Sequence, residues 1–200
     1  MISDLLILND YYTDMRYARS RYPGVSNYYT VDATGLVNSE GDFAMHSDFA
    51  RLGFDVDGSG IKIGVMSNSF DSQALSSSGD SPATIDVKNG DLPGVQNLIY
   101  PLPVDVILDI TPEFGSLSDE GRAMLQIIHD IAPGAELAFR TGYLGEQDMA
   151  IGIGALADAN CDIIVDDISY LTEPFFRDGV ISQAIDDVVA DGVTFFSSAG

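Results

Sequence analysis

Cysteine is almost missing from this sequence. Cys161 is the only one, so no disulfide can form within the chain. It lies in the apolar run NCDIIV and reads as a small buried hydrophobe rather than a reactive thiol. Basic residues are scarce too: nine Lys and Arg stand against 31 Asp and Glu, a net charge of −22. Neutralising a phosphate backbone or an anionic lipid surface takes Lys and Arg, so nucleic acid and membrane surfaces are excluded as partners. The surplus acid suits solubility or the attraction of cations. No apolar run reaches 18 residues, so no transmembrane helix is expected. The opening MISDLLILNDYYTDMR has an acid at position 4 and no basic segment before its apolar residues, unlike a secretory signal peptide. The closing GVTFFSSAG is a strand-like run entering small residues, where domains rarely stop, so truncation at both ends is expected.

What is present suits one globular domain or most of a larger one: 200 residues, of which 46% are hydrophobic. Residues 1–39 read as an N-terminal extension, a partial prodomain or a linker; Tyr11, Tyr12, Tyr17, Tyr22, Tyr28 and Tyr29 suggest a helix followed by a loop there. Residues 40–200 read as the domain. A helix is predicted over 40–52, with Phe43, Ala44, Phe49 and Ala50 as its packed face. From residue 61 strand and helix alternate. IKIGVM, VDVILDI, ELAFRT, CDIIVDDIS and VTFFSS read as strands. Residues 119–131, 146–159 and 178–191 read as helices, and 69–101 as a long surface loop with a purpose or small elements of its own. Strands apolar on both faces imply an α/β layered, mostly parallel sheet with helices on both faces. Function in such sheets gathers beyond the carboxyl ends of the strands.

The helix in SDEGRAMLQIIHDIAPGAEL poses the main question. At about 100° per residue Met124, Ile127, Ile128 and Ile131 share one side and read as core. Glu120 sits at the margin of that stripe, at the positive end of the helix dipole. Two readings stay open: a routine first-turn acid beside Asp119, behind Ser118 as N-cap, or the proton-handling group of a site. His129, nine positions on, points to the opposite side and reads as half-buried or surface. DVDGSG starts like an EF-hand loop, but its twelfth position is Met66, so a tight turn is the reading and no metal ligand set is legible. Asp166 and Asp167 interrupt an apolar strand. Either they emerge into solvent, or one is a perturbed acid at the strand's carboxyl end.

Taken in order, GSGIKIGVMSNSF, DEGRAML…IAPGAEL, IIVDDISYL and DGVTFFSSAG resemble the motifs of the subtilisin-like superfamily of serine peptidases, as the N-terminal part of its catalytic domain. This resemblance implies a subtilisin-like sheet, incomplete at the C-terminus, and a serine-type endopeptidase that acts as a monomer on polypeptides. It implies an extracellular or periplasmic setting, no required cofactor, and calcium as a possible ion near the 69–101 loop. Subtilisins place a histidine at the start of the base-bearing helix; sedolisins place a glutamate there with an aspartate four residues later. Glu120 is similar to the sedolisin base. Its aspartate partner would fall at Met124, and the subtilisin aspartate would fall at Asn68, or Ser67 with a one-residue slip. Asp71, Asp119, Asp166 and Asp167 are substitute acids. Ser169, Tyr170 and Leu171 look like the cleft wall that pairs with substrate backbone. The nucleophilic serine and the oxyanion residue of the family have no counterpart in residues 1–200, so this chain alone is expected to be inactive. The alternatives are a catalytically inactive binding module, suggested by Asn68 and Met124, and a non-peptidase α/β domain, suggested by the paired acids.

Overall fold

The computed structural model describes residues 35–110 and 117–198. The tyrosine-bearing helix and loop expected before residue 31 lie outside the described residues. The described residues belong to one compact unit.

β1 (Lys62–Ser67) is the central strand, and its side chains alternate between two apolar layers. Ile63 and Val65 enter one core with Leu137, Phe139 and Val165, whereas Met66 enters the other with Ala138 and Ile164. A strand with apolar partners on both faces must be covered on both. The sheet order is β2 (Asp105–Leu108), β3 (Glu136–Thr141), β1, β4 (Ile163–Asp166), β5 (Thr194–Ser197), and every pairing is parallel. α3 (Pro82–Asn89) and α4 (Glu120–Ile131) cover the face holding Val65 and Phe139. α5 (Glu146–Asp158) and α6 (Val180–Ala190) cover the opposite face. The layered parallel α/β sheet expected from strand–helix alternation is therefore present. No helix among the described residues is long and apolar enough to cross a membrane.

Several local expectations change. The helix predicted over 40–52 is broken into α1 (Glu40–Met45) and α2 (Ser47–Phe54) by His46, which takes φ 59°. Its packed face is polar. Arg51 forks onto Asp42 at 2.7 Å and donates to the Ile131 carbonyl, while Phe43 and Phe49 are exposed. The long 69–101 segment contains α3, whose start is set by Ser81 as N-cap and Pro82 in the first turn. On α4 the core stripe is rotated by about one residue: Gly121, Leu125, His129 and Asp130 are buried, and Ile127 is exposed. Gly121 fixes this rotation. A Cβ there would overlap the Phe139 ring and come within 2.9 Å of the Ser69 carbonyl oxygen, so the helix can approach the sheet only at that residue. His129 is thereby carried into the core, edge-on to Tyr100 with ring centroids 5.1 Å apart, not to the surface.

Candidate active site

β1 and β4 are neighbours whose onward connections part. After β1 the chain leads to α3 on one face; after β4 it leads to α6 on the other. The crevice between their carboxyl ends is where an open parallel sheet accepts a ligand.

The end of β1 holds the start of α4 in that crevice. Asn68 Nδ2 donates to Ser118 Oγ at 2.6 Å, and Asn68 Oδ1 accepts from the Glu120 N–H at 3.2 Å. The Gly121 N–H donates to the Ser69 carbonyl at 3.1 Å. Free amides at the first turn are thus satisfied by β1 rather than by a side chain of the helix's own cap. Ser118 is not the N-cap. That position is Asp119, at φ 55° and without a capping side-chain bond. Asn68 therefore orients Glu120 through its backbone amide.

Asp119 is fully engaged as a clasp. Its carboxylate accepts from Ser69 Oγ at 2.8 Å, from the Ser72 N–H at 2.8 Å and hydroxyl at 2.6 Å, and from Arg122 at 2.6 Å. Burial pushes this carboxyl up, but the bonds from Ser72, Arg122 and Ser69 outweigh it and hold its pKa below the ordinary value. Arg122 also pairs with Asp86 at 2.9 Å and donates to the Phe70 carbonyl, tying α3 to α4. Asp71 accepts from the Ala83 N–H and faces α3. Neither acid is turned toward Glu120.

Asp167 is. It lies one residue past β4, on the sheet face that carries Val165, the face α4 covers. Its negative charge is the main cause that raises the Glu120 pKa, followed by partial desolvation and a hydrogen bond between the two carboxyls. A neighbouring negative charge disfavours ionisation, so Glu120 keeps its proton to higher pH than an ordinary glutamate does. Met124, where the resemblance would put the partner, instead packs at the margin of the core.

Asp166 points to the opposite face. It is 2% exposed, and its Oδ1 accepts from Ser197 Oγ and from the Ile168 N–H, each at 3.2 Å. Burial raises its pKa from the usual 3.8 to about 6, against the pull of those two bonds. Folding thus binds this proton more tightly than the unfolded chain does. The resulting stability is complete below pH 4 and is lost as pH rises through 6. His129 acts in the reverse sense: burial lowers it from 6.5 to about 4, so its stability is complete above 6.5 and is lost as pH falls through 4. The two nearly cancel in the native protein. Asp166→Asn keeps the acceptor and removes the titration, so it should raise stability at pH 8 by about 3 kcal/mol and leave it unchanged at pH 4. Urea unfolding at the two pH values checks this.

Of the residues expected to line a substrate cleft, Ser169 and Leu171 are exposed, and the Tyr170 hydroxyl donates to the Gly142 carbonyl and accepts from the Gly145 N–H. The strand expected over CDIIVDDIS ends at Asp166. β4 is interior, between β1 and β5, and the chain leaves it after Asp166. Residues 169–171 instead run beyond the sheet, pinned to the loop after β3. Among the described residues no group of three or more His, Cys, Asp or Glu converges on a cation position. The carboxylates of the 69–101 segment bond to Arg122, Lys88 and backbone amides. Cys161 is buried, its thiol pushed up to about 11 by desolvation.

The sequence reading singled out Glu120, Asn68, Asp119 and Asp167, and all four stand around the crevice; only Glu120 and Asp167 bring their carboxyls together. It missed Arg122, Ser69 and Ser72. Asp119 and Arg122 at i, i+3 were a legible signal; the serines are ordinary loop residues in sequence. No protein-family model matches the sequence, and no curated protein matches it significantly.

Proposed function

We propose that the chain is the acid–base half of a serine-type endopeptidase catalytic domain, of the subtilisin-like and sedolisin kind, with Glu120 as general base and Asp167 as its acidic partner. What supports this is the placement of Glu120 at the start of α4 and of Asp167 just past β4, both at the crevice between the central parallel strands, where the charge of Asp167 raises the Glu120 pKa. A carboxylate is too weak a base for a serine hydroxyl at its ordinary pKa; a neighbouring acid corrects this. On this reading the serine and the oxyanion donor come from sequence outside residues 1–200. The serine Oγ attacks the scissile carbonyl while its proton passes to Glu120. Glu120 then returns the proton to the leaving amine as the C–N bond breaks, and water completes the cycle. Asp167 supplies the neighbouring charge that raises Glu120 toward the working pH. Substrate is an unfolded or extended polypeptide, laid against Ser169, Tyr170 and Leu171.

The test is peptide cleavage between pH 3 and 9 by a chain extended to include the downstream serine. Cleavage with an acidic optimum supports the proposal; a serine-lacking extension rejects it. A second reading, an inactive binding module, rests on Asn68, whose amide serves Ser118 and the Glu120 N–H and offers no acid. An extended domain that binds peptide without cutting it would select that reading.

A further inference from the structure

Two buried polar atoms beside the acid pair lack a partner among the described residues: Ser67 Oγ and Asp167 Oδ1. They are neighbours. Met66 pairs with Asp166 in the parallel register, so Ser67 stands next to Asp167 one step on, where the Asp167 N–H still donates to the Met66 carbonyl. They also share a face. Ile63 and Val65 precede Ser67 on the side covered by α4, and Val165 precedes Asp167 on that side. Ser67 is 0% exposed, so its hydroxyl has no access to bulk water or to a polypeptide. Orphaned buried polar atoms are rare, and a hydroxyl donor beside a carboxylate acceptor is the simplest mutual solution.

We propose that Ser67 is the positioning residue of the Glu120–Asp167 pair, its hydroxyl donating to Asp167 Oδ1 through one internal water. The consequence is directional. A donor on Asp167 Oδ1 fixes how that carboxyl is turned, and so how strongly its charge acts on Glu120. This rests on the acid–base role assigned to the pair but not on the identity of the substrate. Among the described residues no other titratable group competes for that oxygen. From β4, Asp166 faces the opposite layer; from α4, Asp119 and Arg122 are bonded to each other and to residues 69–73. From β3, Arg140 is paired with Asp148 on the far face, and Thr141 donates to the Asn68 carbonyl. The last residue of β1 and the one after it, Ser67 and Asn68, stand at this level.

The experiment is a carboxyl-carbon NMR titration of Glu120 in the 200-residue chain, native and Ser67→Ala. Loss of the donor should free Asp167 to turn away and move the Glu120 midpoint downward, toward that of an ordinary glutamate, by roughly half a unit to one unit. Ser67→Thr, which keeps the hydroxyl, should restore the native midpoint. An unchanged midpoint in folded Ser67→Ala overturns the proposal. If Ser67→Ala does not fold, a high-resolution crystal structure of the native chain decides. Ordered solvent within hydrogen-bonding distance of both Ser67 Oγ and Asp167 Oδ1 supports the proposal; its absence overturns it. A shifted titration in a protein whose extended form cuts no peptide would remove the peptidase reading and leave this one standing.

Discussion

Glu120→Gln should lower kcat/KM of the serine-bearing extended domain by about a thousandfold, with KM little changed. General base catalysis by a positioned side chain contributes roughly 10²–10⁴ in rate. Glutamine keeps the shape and one acceptor but cannot take a proton from the serine. The loss should therefore fall on kcat, the signature of an interaction made in the transition state. Asp167→Asn should be milder, about tenfold to a hundredfold at the optimum. Its main effect should be on the pH profile. The acid limb should shift downward, because the charge that raises Glu120 is gone. Glu120 is exposed at the helix start, so neither substitution should cost much stability. Steady-state kinetics across pH, with circular dichroism as the control, read both effects.

The second large effect is structural. Asp119→Ala should destabilise the chain by about 3 kcal/mol and lower Tm by roughly 10 °C. Asp119 is 2% exposed and is the single acceptor on which Ser69, Ser72 and Arg122 converge. Its removal leaves buried donors unsatisfied and part of a guanidinium charge uncompensated. Arg122 retains Asp86, which limits the damage. Acid should have a similar effect. The folded pKa of Asp119 is depressed, so its stability is present above the unfolded value and is lost as pH falls through the folded one. A loss below about 1 kcal/mol at pH 7 would mean the clasp is not what seats α4.

The sheet was readable because its strands are short, β-branched and apolar on both faces, and because each helix between them is long enough to show its period. Glu120 and Asp167 were readable as candidates because each is an acid at the end of an apolar element. Their meeting was not readable. It depends on Gly121, whose missing side chain lets α4 lie against Phe139 and so fixes how the helix is turned. The apolar period of α4 alone placed Ile127 inward and His129 outward, and both placements reversed once that contact was made. Likewise α1 and α2 pack through Arg51 and Asp42, a polar contact that hydrophobic spacing cannot reveal. The Asp119 clasp joins residues about 50 positions apart. Nothing local marks Ser69 or Ser72 as its donors.

The most direct measurement of the central claim is the carboxyl-carbon titration of Glu120 in the native chain and in Asp167→Asn. The neighbouring charge predicts a Glu120 midpoint above that of an ordinary glutamate, falling back toward the ordinary value when Asp167 is neutralised. A Glu120 that titrates as an ordinary glutamate in both proteins would contradict the account.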